Sequence, residues 1–313
     1  MQNPRKVAVI GCGFVGASIA FSLMQKGLFS ELVLIDSNTA KAHGEAMDLS
    51  HGLPYTASMD IYAGSYDDIA DSALIIITAG ANQKPGETRL DLIGKNVGIL
   101  RAILPQITSR GFEGILLIVS NPVDVLTYAA QRISGYPAHR VIGSGTVLDT
   151  ARLKYLLSRH LGVDGRSVHA VVIGEHGDSE LAAWSSATVS GVPINTFCEM
   201  RGHFNHDEAT ERIAENVKNS AYEIIAKKKA TYFGVAMAVR RICEAIIRDE
   251  KSILPVSNLM HGEFGISDIS LSMPAIVGAH GVENRIPITL DEEETEKLQS
   301  SAGTLKKIIE EVL

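Results

Sequence analysis

Apolar and polar positions divide the chain into two halves of different rhythm. In the first, compact and mostly apolar runs at residues 6–10, 32–35, 60–63, 73–78, 115–120 and 140–142 read as short strands, most of them buried on both faces. Between them, residues 14–26, 40–49, 96–108 and 123–133 carry apolar positions at helical spacing. Strands alternating with helices predict an α/β fold with a doubly wound parallel sheet. On such a sheet, ligands gather beyond the C-terminal ends of the strands, so residues just after strands matter most.

From Gly143 the alternation stops. The pattern predicts a helix near 150–160, strands at 168–173 and 184–189, and long helices over 207–226 and 234–248. Strands follow at 252–258, 268–272, 275–277 and 284–288, then an amphipathic helix over 291–313 with Leu298, Leu305 and Val312 on one face. Glu292, Glu293 and Glu294 fall in its first turn, where negative charge suits the helix dipole. The expected division is a first domain of residues 1–143 and a C-terminal α+β domain of residues 144–313. The helix near 234–248 is expected to pack back on the first domain.

The first strand runs into Gly11-Cys12-Gly13-Phe14-Val15-Gly16, and the second ends at Asp36. A lone Gly-x-Gly-x-x-Gly is weak, but here a strand precedes it, a helix follows, and an acid lies about 20 residues on. Gly11 permits the tight turn, Gly13 lets backbone N–H groups approach a pyrophosphate, and Gly16 lets helix and strand pack closely. Asp36 accepts from ribose hydroxyls and repels a 2′-phosphate, which favours NAD over NADP. The first domain is therefore read as a Rossmann cofactor domain.

Composition removes other classes. The chain has 313 residues, a formal net charge of -7 and 45% hydrophobic residues. Its pI is about 5.8 and its mean hydropathy +0.12. No basic field for nucleic acid is present. The longest apolar stretch, at 73–77, is too short to cross a bilayer, so no membrane partner is expected. Arg5-Lys6 and the apolar residues behind them imitate a secretion signal, but the glycine motif lies inside that stretch and no cleavage site follows. The expected location is cytoplasmic. Cys12, Cys198 and Cys243 are far apart and lack metal-ligand spacing, so they read as reduced thiols and no metal is expected.

Candidate chemistry centres on residues 171–180, where a β-branched run delivers His176 between Gly174 and Gly177. Histidine is the side chain that titrates near neutrality. In a glycine-flanked turn it is, by itself, more often a hydrogen-bonding residue than a catalyst. Asp149 and Arg152 stand three apart near a helix start and can share a face, either as site residues or as a local ion pair. The segment 79–89 is polar and glycine-bearing, as an active-site lid would be, and it ends on Arg89, which is otherwise a surface charge. Asn121 follows a strand and is either a ligand donor or a helix cap, while Thr231 either faces a ligand or ends a helix.

Taken together, these motifs resemble the L-lactate/malate dehydrogenase family over essentially the whole chain. They are residues 11–16, Asp36, the 79–90 loop, Ser120-Asn121-Pro122-Val123-Asp124, Leu148-Asp149-Thr150-Ala151-Arg152 and Gly174-Glu175-His176-Gly177-Asp178. The likeness leans toward the family's bacterial lactate enzymes. It implies that NAD is held by Gly11, Gly13, Phe14, Val15, Gly16, Asp36, Gly80 and Asn121. It implies that His176 exchanges a proton with the substrate oxygen while Asp149 fixes its tautomer. Arg152 would clamp the substrate carboxylate with a two-point contact, and Arg89 would polarise the carbonyl. Asn121 would bond the substrate oxygen and Thr231 would line the pocket.

Gln83 bears on the substrate. Malate enzymes of the family typically carry arginine here, to pair with a second carboxylate. A neutral Gln83 leaves that charge unmatched, so pyruvate and L-lactate are expected over oxaloacetate and malate. The alternatives are a malate dehydrogenase, a broader L-2-hydroxyacid dehydrogenase, or a non-catalytic NAD-binding protein. The resemblance also implies a homo-oligomer, a tetramer in many bacterial members, activated by fructose 1,6-bisphosphate at the positions of Lys154 and His169. His169 fits that pattern. Lys154 stands where activated enzymes have arginine, and it lacks the forked geometry suited to phosphate. Weak or absent activation is expected.

Overall fold

The computed structural model describes residues 3–81 and 86–313. In the first half, strands β1 (Asn3–Ile10), β2 (Glu31–Ile35), β3 (Asp60–Ala63), β4 (Ser72–Ile77), β5 (Ile115–Ile118) and β6 (Val141–Gly143) alternate with helices. The helices are α1 (Phe14–Lys26), α2 (Thr39–His51), α3 (Arg89–Thr108) and α4 (Val123–Ser134). The six strands are parallel and lie in the spatial order β3-β2-β1-β4-β5-β6. This is the doubly wound Rossmann order, whose strand sequence reverses at β1 and β4.

Side chains alternate between two cores because a strand turns successive residues to opposite faces. Ala8, Ile10, Ile75, Ile77, Leu116 and Ile118 pack under α3 and α4. Val7, Val9, Leu74, Ile76, Ile115 and Leu117 pack under α1 and α2. Lys6, inside β1, is buried, and its ammonium reaches Glu31 at 2.8 Å and Asp71 at 3.0 Å. Burial alone would lower its pKa, but the two carboxylates raise it.

The second half begins with α5 (Val147–Leu161). Short strands follow: β7 (Val168–His169), β8 (Val172–Ile173), β9 (Leu181–Ala182), β10 (Thr188–Val189) and β11 (Val192–Pro193). Helices α6 (Ile194–Met200), α7 (His206–Lys228) and α8 (Phe233–Ile247) lead to long antiparallel strands β12 (Ser252–His261), β13 (Ser267–Gly278) and β14 (Gly281–Arg285), and α9 (Glu292–Val312) closes the chain. Strand β12 joins the parallel sheet at β6, through Ser257 opposite Gly143. One sheet of nine strands thus carries both halves. Helix α8 lies on α1, with Lys26 3.4 Å from Glu244 and the buried Val239, Ile242 and Ile246 in the core of the α1 face.

Several elements depart from the sequence expectation, among them α6, for which it has no counterpart, and β14, which spans 281–285 rather than 284–288. Helix α3 starts at Arg89 rather than 96, because Thr88 and Asp91 form a reciprocal capping box. The single strand expected over 168–173 is two short ones, since β7 pairs with β10 while β8 pairs with β9. Most of the strand expected over 184–189 is a turn, and only Thr188–Val189 pairs. The two weak strands near 268–277 are one, because β13 pairs with β12 without a break from Ser270 to Val277. Among the described residues no helix is long and apolar enough to cross a membrane. All three cysteines are free and buried.

Candidate active site

The glycine turn between β1 and α1 is shaped by close approaches. Gly11 has φ +104°, and a Cβ there would sit 2.6 Å from the Ala79 backbone nitrogen. A Cβ on Gly16 would sit 1.9 Å from the Gly11 carbonyl oxygen. Gly13 differs, because no protein atom lies within 4 Å of its would-be Cβ. The polypeptide therefore does not demand glycine at the N-cap of α1, whereas a pyrophosphate approaching the N–H groups there does. Asp36 follows β2, and its carboxylate accepts from the N–H of Cys12 at 2.7 Å and of Asn38 at 2.8 Å. It is thus fixed beside the turn, with acceptor capacity left for a ribose. Burial and Asp36 push the Cys12 thiol up to about 12, so it stays neutral there. Phe14 and Val15 open α1, and Phe14 stacks on Tyr232 at 5.4 Å. These features suit NAD.

Beyond the ends of β4 and β5 the chain encloses a cavity of about 390 Å³ lined by Arg89, Asn121, Asp149, Arg152, His176 and Glu180, among others. It brings together residues from both halves. His176 Nδ1 lies 2.6 Å from Asp149 Oδ2, and Arg152 donates to Asp149 Oδ1 at 2.8 Å. Asp149 is buried, and burial alone would raise its pKa, but the charges of His176 and Arg152 outweigh that and lower it. Burial would likewise depress His176, yet Asp149, with Asp124 and Glu180 behind it, raises its pKa to about 9. At neutral pH the imidazole is therefore a cation, with Nδ1–H committed to Asp149 and Nε2–H free to donate. Arg89, the first residue of α3, lines the cavity and pairs with the buried Glu175.

Thr231 is not among the lining residues; it sits half-buried in the joint between α7 and α8. Gln83 lies outside the described residues. Gly80 is exposed just after β4, where a Cβ would touch Asn96 and Ser120 at 3.5 Å. Lys154 is half-buried on α5, and burial lowers its pKa. His169 is exposed on β7, opposite Thr188. One ligand atom each from Asp149, His176 and Glu180 lies within 4.8 Å of the others. Asp149 and His176 are engaged with each other, so the trio reads as a proton-handling cluster rather than a metal site.

Several organising residues escaped sequence reasoning. Asp124, buried in the first turn of α4, accepts the backbone N–H of His176 at 2.7 Å. Burial raises its pKa to about 6, against the pull of that bond. Asn96, buried on α3, accepts from the N–H of Ala81 and donates to the Asn121 carbonyl oxygen, both at 2.7 Å, and so ties the loops after β4 and β5 together. Behind the turn that carries His176, Gly174 and Ser272 exchange two backbone hydrogen bonds of 2.9 Å. The available signal was a polar residue at an otherwise apolar helix position, as with Asn96 among Ile93, Val97 and Leu100.

Residues 5–143 match the lactate/malate dehydrogenase NAD binding domain, and residues 146–313 match the lactate/malate dehydrogenase alpha/beta C-terminal domain. The chain belongs to the lactate/malate dehydrogenase family. It is 52% identical over 305 residues to an L-lactate dehydrogenase of Acetivibrio thermocellus, covering 97% of this chain and 96% of that one. It is 49% identical over 312 residues to L-lactate dehydrogenase 1 of Clostridium acetobutylicum, covering all of both. The ligand-bound crystal structure of the minor L-lactate dehydrogenase of Enterococcus mundtii superposes with a TM-score of 0.96 at 45% identity, covering 99% of this chain and 98% of that one.

Proposed function

We propose that the chain is an NAD-dependent oxidoreductase interconverting pyruvate and L-lactate. The observation that carries this is the His176–Asp149 pair at 2.6 Å, opening on a cavity that also holds Arg152 and Arg89. Residues 1–143 hold the cofactor and residues 144–313 supply most of the substrate pocket. Bound NAD supplies or accepts the hydride at the substrate carbon. His176 carries the proton that joins or leaves the substrate oxygen at Nε2, while Asp149 orients the ring and stabilises its charged form. Arg152 binds the carboxylate, and Arg89 and Asn121 stabilise charge on the reacting oxygen. Thr231, outside the cavity lining, has at most an indirect part. Gln83 carries the preference for a methyl group over a second carboxylate.

Initial rates of NADH oxidation with pyruvate, oxaloacetate and 2-ketoisocaproate test this reading. Pyruvate is expected to give the highest kcat/KM. A preference for oxaloacetate would make the protein a malate enzyme, and NAD binding without turnover would make it a non-catalytic member. The exposed Phe14, Phe233 and Met237 on the α1/α8 face support a homo-oligomer, in this reading a tetramer, and the bacterial relatives support a cytoplasmic location. Lys154 in place of arginine supports weak or absent activation by fructose 1,6-bisphosphate. A large fall in the pyruvate half-saturation concentration on adding the bisphosphate would contradict that.

A further inference from the structure

Glu180 contacts no substrate in the reading above; its charge is among those that favour protonated His176, and its setting is unusual. It is 7% exposed, and its Oε1 has no hydrogen-bond partner. Leaving a buried carboxyl oxygen unmatched is costly, and the cost is greatest for the charged form. One of its oxygens lies within 4.8 Å of ligand atoms on both Asp149 and His176. Two carboxyls that close resist being charged together. Glu180 also lines a second cavity, of about 1090 Å³, between α7 and α9. Glu180 thus stands between that cavity and the substrate pocket, which it also lines.

Charged groups face it from every side. Helix α5 contributes Asp149 and Arg152, the turn after β8 His176, and α7 Lys218. On the substrate side stand Arg89 and Asp178. On the outer side, α7 brings His206, Asp207, Glu211 and Glu215. Helix α9 and its cap bring Asp291, Glu293, Glu294 and Lys297. Glu294 is occupied by the N–H groups of Trp184 and Ser185, Glu293 by Lys297, and Asp291 by its capping bonds. Burial and the Asp149 charge raise the pKa of Glu180 to about 8, against the pull of His176, Arg152 and Lys218. His176 holds its proton to about 9. Both groups therefore titrate in the alkaline range, close enough for the charge of one to be felt by the other.

Resting on the proton-donor role of His176, we propose that Glu180 is a reserve counter-charge for the catalytic imidazolium. It releases its proton to solvent as pH rises. The carboxylate formed then keeps His176 protonated to higher pH and widens the alkaline range of 2-keto acid reduction. Glu180 acts through His176 and is a positioning residue for its charge.

The test is the pH dependence of both directions in Glu180→Gln. For pyruvate reduction, the alkaline fall of kcat/KM is expected to move down by about one pH unit, the size of one charge removed at this distance in a partly screened site. Lactate oxidation needs neutral His176, so its acid limb is expected to move down by the same amount. At pH 8 the variant thus loses reduction and gains oxidation, and below pH 7 it converges on the unmutated protein. Glu180→Asp should keep most of the alkaline range. Glu180→Met is the neutral control should the amide disturb folding. Unmoved limbs, or an equal loss in both directions, would overturn the proposal. Failure of the unmutated enzyme to reduce pyruvate would instead overturn the functional reading on which it rests.

Discussion

Replacing Asp149 by asparagine removes the charge that makes His176 a proton donor at neutral pH while keeping side-chain size. The free imidazole value is 6.5, and His176 is raised to about 9 with burial working against it. That gap is a factor of about 300 in proton affinity, or about 3 kcal/mol. The pair is well shielded, with Asp149 1% and His176 23% exposed, so solvent screening does not erase this figure. Without Asp149, burial lowers His176 and only the smaller pull of Asp124 and Glu180 remains against it. At pH 8 the protonated fraction then falls about tenfold or more, and kcat/KM for pyruvate with it. The assay is the initial rate of NADH oxidation from pH 5 to 10. The alkaline limb is expected to move from near 9 to about 7 or below. A limb that stays near 9 would refute the assignment of Asp149 as the source of the raised proton affinity. Stability gives an independent check. A raised histidine pKa contributes stability that is complete below 6.5 and is lost as pH rises through about 9. The lowered carboxyl of Asp149 contributes above its ordinary 3.8, and that share is lost as pH falls through its folded value. The Tm difference between the two proteins should therefore be widest near pH 5 to 6 and narrow above pH 9.

Three further outcomes follow. Gly16→Ala puts a Cβ 1.9 Å from the Gly11 carbonyl oxygen, so α1 must move away from β1; NADH titrated by fluorescence should bind at least about tenfold more weakly. Asp124→Ala leaves the backbone N–H of His176 unpaired in a buried turn, which costs about 1–3 kcal/mol; both kcat and Tm should fall, and a change in NADH affinity alone would contradict the assignment. Gln83→Arg supplies the missing partner for a second carboxylate and should raise the oxaloacetate-to-pyruvate ratio of kcat/KM about tenfold or more. An unchanged ratio would locate selectivity elsewhere.

The Rossmann half was legible because its physics is local. Buried parallel strands are short apolar runs, and the glycine turn carries the reason for each glycine in its own spacing. Asp149 and Arg152 were legible as a pair because three residues of helix put them on one face. What stayed hidden was set by distant partners. Nothing near residue 170 announces that β7 and β8 belong to different sheets, since their partners β10 and β9 come later in the chain. Asp124 reads as an ordinary acid in a first helical turn until His176, 52 residues on, is seen to rest on it. Glu294 suits the dipole of α9, as expected, but it is also buried and holds the N–H groups of Trp184 and Ser185, a second task that local sequence does not display. Thr88 and Asp91 did carry a local signal for the start of α3, but the polar residues before them masked it.

The turn that carries His176 is pinned twice, by the paired bonds between Gly174 and Ser272 and by Asp124 at the His176 N–H. Gln83, on which the proposed substrate preference rests, comes from a separate stretch of sequence, the polar segment 79–89. On the proposed reading, chemistry and choice then rest on different parts of the chain. A change in that segment is expected to alter which 2-keto acid is accepted while the proton carrier keeps its position and its charge. A change at Ser272 or Asp124, by contrast, would degrade turnover of every substrate alike. If the proposed role of Gln83 holds, new substrate ranges are reached by changing segment 79–89 without rebuilding the turn that carries His176.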